Sequence, residues 1–297
     1  MTYVLPNRKA FSDSITRIFL KYREKRVEGE DESEDLCLRQ GAKASRELFS
    51  YQKLVREYLL METPYRGLLL YHGLGSGKTC SSIAVAESLM SNKKVFILLP
   101  ASLRSNYLGE IRKCGDPIYA YEQYWEEKKI TTPEDREGAK KFGLSDKFLD
   151  KQKRYFLTEA GREPNYRTLA KEQQDGIGAQ IDDLLNTRFQ FINYNGISSA
   201  NVDKILPPNE PHMFDDSVII IDEAHNLIGN VVNDRANKKK LYDMMYSAKN
   251  TKIVALSGTP MVNRPNEIAV LLNLLKGPIE RIHSFPTRRS SDRKSVV

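Results

Sequence analysis

Five short apolar runs punctuate the chain: GLLLY ending at Tyr71, KVFILLP ending at Pro100, FQFINY ending at Tyr194, SVIII ending at Ile221 and KIVALS ending at Ser257. Continuous runs of this length, without polar alternation, are what strands buried on both faces look like. Between them apolar positions recur at helical spacing. Leu48, Tyr51, Leu54, Val55, Tyr58 and Leu59 precede the first run. Ile83, Ala84, Val85, Ala86 and Leu89 follow it, and Leu103, Tyr107, Leu108 and Ile111 follow the second. Strands alternating with helices predict an α/β fold with a central parallel sheet covered on both faces. The loops after such strands all open on one edge, where ligands bind.

The pattern is weaker in three places. Phe11, Ile15, Ile18, Phe19 and Tyr22, behind an N-cap at Ser12 or Asp13, predict a short helix packed on the main body. KYREKR then runs into EGEDESED, a solvated charged linker, so residues 1–45 stand apart from a main domain over 46–280. Residues 115–187 are rich in Lys, Glu and Gln and too long for a structureless loop. They predict an inserted helical subdomain, with TLAKEQQDGIGAQIDDLLN as its clearest helix. Beyond Gly277 and Pro278 periodicity is lost, and the basic tail 281–297 contains SFPTRRSSD, which looks like translated sequencing-adaptor DNA. It is expected not to be native to the fold, and the natural continuation is expected to be lost.

Composition adds little. With 40% hydrophobic and 29% charged residues the 297-residue chain has the makeup of a globular protein, and no apolar run approaches a membrane span. No secretory leader is apparent, so an intracellular protein is expected. Cys37, Cys80 and Cys114 are distant in sequence and form no C-x-x-C, which predicts reduced thiols without a metal framework. The net charge of +7 suits a polyanionic partner, but four basic residues and one acid lie after Ser284, so charge is a weak guide. Lys238, Lys239 and Lys240 read as a solvated helix start.

Chemistry enters at HGLGSGKT, His72 to Thr79, between a predicted strand and a predicted helix. Gly73, Gly75 and Gly77, with Ser76, let backbone N–H groups and a helix N-terminus cradle phosphate oxygens. Lys78 would reach the terminal phosphates, and the Thr79 hydroxyl would hold Mg²⁺. His72 stands where the strict pattern has glycine. The second signal is IIIDEAH, in which a buried strand delivers Asp222 and Glu223 to the same sheet edge. Phosphoryl transfer to water needs one carboxylate for the metal, here Asp222, and a polar group to position the water, here Glu223.

In this order HGLGSGKT, PASLRSN, IDEAH and SGTP resemble motifs I, Ia, II and III of superfamily-2 helicases and translocases, over about Leu48 to Gly277. SGTPMVNRPNEIAVLLNLLKG is similar to Swi/Snf-type motors and, more closely, to helicase-like ATPases of large DNA viruses, including the poxvirus early-transcription and nucleoside-triphosphatase group. His72 in place of glycine is similar to that viral group too. The resemblance implies a RecA-like domain binding ATP and Mg²⁺, with Gln52 reading adenine and His225, Ser257 and Thr259 coupling nucleotide state to the nucleic-acid track. It also implies phosphate contacts from Pro100, Ser102 and Arg104 and from the Tyr194–Asn195–Gly196 loop. The expected partners are nucleic acid, DNA ahead of RNA, a second RecA-like domain, and transcription machinery. No membrane is expected, and host cytoplasm or virion is the expected location. The 297 residues alone are expected to bind nucleotide and hydrolyse it weakly. An ATP-gated DNA-binding transcription-factor subunit and the motor subunit of a restriction-type nuclease stand as alternatives.

Overall fold

The computed structural model describes residues 9–22, 48–61, 66–71, 77–233, 236–260 and 264–278. Its centre is a five-stranded sheet in the order β1 (Gly67–Tyr71), β7 (Lys252–Ser257), β6 (Ser217–Ile221), β2 (Lys94–Leu99), β5 (Phe189–Asn193), every pair parallel. All five strands correspond to the apolar runs read from sequence, and β6 is buried at every position. Alternate residues serve opposite faces. Val95, Ile97 and Leu99 join a core with α2 (Ser50–Leu60), α3 (Lys78–Leu89), α4 (Arg104–Cys114) and α7 (Lys171–Arg188). Phe96 and Leu98 join another with α8 (Val202–Ile205), α9 (Ala224–Val232), α10 (Ala236–Ser247) and α11 (Asn266–Lys276). This is the parallel sheet covered on both faces that the alternation of strands and helices predicted.

Two contacts seat β1. A Cβ on Gly67 would lie 2.8 Å from the Leu275 carbonyl oxygen, so glycine permits the close approach of α11. Just upstream, the Arg66 guanidinium takes up carbonyls at the C-terminus of α10: Nη1 donates to Tyr246 O at 2.9 Å and Ala248 O at 3.2 Å, and Nη2 donates to Met245 O. A cation at orphaned helix-end carbonyls satisfies both hydrogen bonding and the helix dipole.

The insertion corrects the all-helical expectation. Besides α5 (Pro133–Lys141), α6 (Asp146–Gln152) and the expected α7, it contains an antiparallel hairpin of β3 (Trp125–Lys129) and β4 (Arg154–Thr158). Only Trp125 of β3 is buried, so WEEKK has no apolar alternation that could mark it as a strand. Gln180 of α7 is fully buried and ties the hairpin down, its amide bonding Phe156 N and Phe156 O at 2.7 Å each. At the other end of the chain, α1 spans Lys9–Phe19 and so begins before the expected cap at Ser12 or Asp13. Phe19 is buried against Tyr58, and Lys21 pairs with Glu57 at 3.0 Å, which docks α1 on α2. The linker 23–47, the side chains of Phe11 and Tyr22, and the tail from 279 lie outside the described residues.

The cysteines also correct a sequence expectation. Cys80 and Cys114 are joined as a disulfide with Cα atoms 5.7 Å apart. Their separation of 34 residues hid this, because only the side-by-side packing of α3 and α4 brings them together. Cys37 lies outside the described residues. Near this junction Glu87 accepts a bond from Asp116 N at 2.7 Å, and burial pushes its carboxyl up to about 7. Because the folded state then holds a proton that the unfolded state releases near 4.5, this group lowers stability progressively as pH rises from about 4.5 to 7. Glu87→Gln keeps the acceptor and removes the charge. The variant is expected to be more stable than the parent by roughly 1–3 kcal/mol at pH 8, with the difference vanishing near pH 4.5. Thermal melts at both pH values check this, and an equal difference at both would contradict it.

Candidate functional site

Because all five strands are parallel, their C-terminal ends bring the sequence motifs to one edge. Tyr71 lies level with Ser257, Ile221 with Ala255, Leu98 with Ile221, and Leu99 with Asn193. The loop after β1 is the phosphate-loop candidate. Its residues His72 to Ser76, including Gly73, Gly75 and Ser76, lie outside the described residues. Its end is described. Gly77 adopts φ 71° and caps α3, which opens with Lys78 and Thr79. Left-handed backbone favours glycine, and a Cβ here would also meet Gln52 Nε2 at 2.7 Å and Tyr51 Oη at 2.9 Å.

Gln52 is only 3% exposed. Its Oε1 accepts from Phe49 N at 3.0 Å and its Nε2 donates to Gly77 O at 3.2 Å. The side chain therefore braces the end of the phosphate loop against α2, and in this conformation its carbonyl is committed inside the protein. Helix α3 is tied to α4 in a similar way, because the buried Tyr107 hydroxyl lies 2.9 Å from Ser82 Oγ, which donates to Thr79 O at 2.7 Å.

Motif II follows β6. Asp222 N extends the ladder by one bond to Leu98 O at 2.8 Å, and Asp222 Oδ1 accepts from Glu223 N at 3.1 Å. Glu223 then turns through φ 48°, ψ 51°, a left-handed conformation that a residue with a Cβ adopts at a cost of about 1–2 kcal/mol. Burial, with Glu223 beside it, pushes the Asp222 carboxyl up to about 6, while Lys78 pulls the other way. Two partly buried carboxylates opposed by a lysine at a helix N-terminus form a donor set that suits a divalent cation and a polyphosphate together. Thr79 and Asp222 are the residues that would hold Mg²⁺, which when bound would neutralise charge developing on the phosphates.

His225, the second residue of α9, reaches across to motif III. Its Nδ1 lies 3.0 Å from Ser257 Oγ and 3.3 Å from Glu223 Oε2. Ser257 Oγ also accepts from Thr259 N at 3.0 Å. Glu223, His225, Ser257 and Thr259 thus form one connected set.

The loops proposed to meet nucleic acid divide differently from the sequence reading. Ser102 and Asn195 are exposed. Pro100 is buried, and its carbonyl accepts from Leu103 N at 3.0 Å, so its role is to shape the turn. The Arg104 guanidinium stacks 4.8 Å from the Phe191 ring centroid, and its Nη2 lies 3.4 Å from Asn186 Oδ1. Tyr194 is fully buried, and its hydroxyl donates to the Asp222 and Glu223 carbonyls at 3.0 Å each. Direct phosphate contact through that hydroxyl is therefore corrected, since the group points into motif II. A residue missed from sequence lies beneath it. Lys238, read as solvated, is 3% exposed, with Nζ donating to Tyr194 O and, at 2.9 Å, to Ile197 O. The available signal was its spacing: Lys238, Leu241 and Met245 form the buried stripe of α10. Lys240 pairs with Asp203 at 3.0 Å, and Lys239 lies at the surface.

Comparison with known proteins bears on this arrangement. Residues 45–262 match the model for the family "Type III restriction enzyme, res subunit". "Putative ATP-dependent RNA helicase R563" of Acanthamoeba polyphaga mimivirus is 31% identical over 226 residues, covering 75% of this chain and 32% of that protein. "Termination factor NPH-I homolog" of African swine fever virus is 27% identical over 277 residues, covering 89% and 30%. The chain therefore spans about a third of the length of these relatives. Among solved structures, the Sulfolobus solfataricus SWI2/SNF2 ATPase core in complex with dsDNA matches at TM-score 0.40 and 14% identity, over 76% of this chain and 34% of that one. No described helix is long and apolar enough to cross a membrane.

Proposed function

The chain belongs to the family of the type III restriction enzyme res subunit, the superfamily-2 helicase ATPases, and from that premise we propose that it is the ATP-binding half of a viral nucleic-acid motor acting on DNA. The observation that carries the reading is the contact set Glu223–His225–Ser257–Thr259 at the edge where Lys78, Thr79 and Asp222 also lie. A nucleotide seated on the N-terminus of α3 would be held by Lys78, with Gln52 and Gly77 framing its approach. Glu223 would orient the attacking water, and His225 would pass the state of that carboxylate to motif III. Ser102, Arg104 and Asn195 would touch the nucleic-acid backbone through hydroxyl, guanidinium and amide groups, contacts that are independent of sequence and weaken with salt. Relatives described as a putative RNA helicase and as a termination factor support a role for the whole protein in viral transcription, and host cytoplasm or virion is the location that would go with that role.

Completion of the ATP site by a second RecA-like domain belongs to the same reading. Arginines supplied from such a domain are worth about 10³ to 10⁵ in rate, so the 297 residues are expected to bind Mg-ATP and turn it over slowly. The test is binding of DNA and RNA oligonucleotides of one sequence to this chain across a salt series, with ATP turnover followed in parallel. Tighter, salt-sensitive DNA binding supports the reading. RNA preference would reassign the substrate, and no binding to either would sink it.

A further inference from the structure

Between the two ends of the site lies a connection that the catalytic assignment does not use. Residues Tyr194 to Gly196 form a single turn after β5, and its exposed members, Asn195 and Gly196, face solvent at the sheet edge. The turn is fastened on three sides. Its first carbonyl, Tyr194 O, accepts from the buried Lys238 ammonium, which also holds Ile197 O at 2.9 Å. The Gly196 carbonyl accepts from Asn201 Nδ2 at 2.9 Å. The Tyr194 ring runs inward at 0% exposure, and its hydroxyl donates to the two carbonyls of the motif II acids.

Those two carbonyls flank the left-handed turn at Glu223. A strained residue persists only where its surroundings over-determine it, and here the surroundings are Tyr194 on one side and His225 on the other. A buried ammonium is likewise costly unless fully bonded. Spending one to fix the carbonyls of an exposed turn makes that turn rigid relative to α10. The Tyr194 ring and its hydroxyl therefore form a continuous contact path from the exposed Asn195–Gly196 turn to the backbone of Asp222 and Glu223, separate from motif III.

We propose that Tyr194 and Lys238 are positioning residues that join occupancy of the Asn195–Gly196 turn by nucleic acid to the conformation of Glu223, so that nucleic acid and Mg-nucleotide bind with mutual reinforcement. This rests on the reading that the chain binds nucleic acid at that edge. Linkage requires the effect to be reciprocal, and such couplings are typically about 5- to 150-fold.

The experiment measures the affinity of the 297-residue chain for a fluorescent non-hydrolysable ATP analogue with Mg²⁺, with and without saturating oligonucleotide, using whichever of DNA or RNA binds more tightly. In the parent protein the oligonucleotide is expected to tighten analogue binding about fivefold or more. Tyr194→Phe removes one hydroxyl and keeps the ring. It is expected to bring that ratio below about twofold, while its oligonucleotide affinity without nucleotide stays at the parent level. Lys238→Met is expected to lose the ratio as well, and where that variant does not fold, Tyr194→Phe alone decides. A full parental ratio in Tyr194→Phe overturns the proposal. So does a parent protein that binds oligonucleotide with no change in analogue affinity, an outcome that leaves the nucleic-acid reading intact. A parent that binds no oligonucleotide fails at the earlier reading and takes this inference with it.

Discussion

Lys78→Ala is expected to weaken Mg-ATP binding by about 10²-fold or more, because charge-assisted bonds to phosphate are worth about 1.5–3 kcal/mol each and an ammonium can make two or three. Lys78 opens α3 directly after the left-handed Gly77, at the positive end of the helix dipole. Alanine is the best helix former, so the substitution leaves the helix and the Gln52 brace in place. Isothermal titration with Mg-ATP measures the loss, and a melting temperature close to the parent's shows that the fold is retained. Affinity within about threefold of the parent would remove Lys78 from the phosphate site.

Glu223→Gln is expected to have the second large effect, on chemistry and not on binding. Glutamine matches the size of glutamate and can still meet His225 Nδ1, which lies 3.3 Å from the carboxylate. It cannot accept a proton from water. Loss of a positioned base typically costs about 10² to 10⁴ in rate, to be read in a protein carrying both halves of the motor, while Mg-ATP affinity stays near that of the parent. Unchanged turnover would refute the water-positioning role. The same variant has a pH signature. Asp222 must be ionised to take a metal, and its carboxyl stands at about 6, pushed up by burial and then by Glu223. Mg-nucleotide affinity in the parent is therefore expected to fall as pH drops through about 6. Removing the Glu223 charge moves that fall to lower pH, which titrations between pH 5 and pH 8 would show. An unmoved midpoint would mean that the two carboxylates do not interact as their placement implies.

Much of this site was legible in the chain because its parts are local. A glycine-rich turn before Lys-Thr, and a buried strand ending in Asp-Glu, carry their chemistry within a few residues. Apolar runs of five or six residues were enough to predict the five strands and hence one shared edge. The hairpin in the insertion was not legible, since WEEKK buries a single side chain and leaves no periodic trace. Tyr194 illustrates a different failure. From sequence a tyrosine in an exposed turn offers a hydroxyl to a ligand, and only packing decides that the ring points inward.

What the sequence by itself determined is the α/β architecture, the order of the motifs and the identities of the phosphate, metal and water-handling candidates, because period and motif are properties of neighbouring residues. Tertiary structure alone decided which distant side chains meet. It brought Cys80 to Cys114, closed His225 onto Ser257, and buried Lys238 beneath the turn at Tyr194. The reason is geometric. A parallel sheet joins strands that are far apart in the chain, and hydrogen bonds across the edge depend on register and helix packing, which no local pattern records.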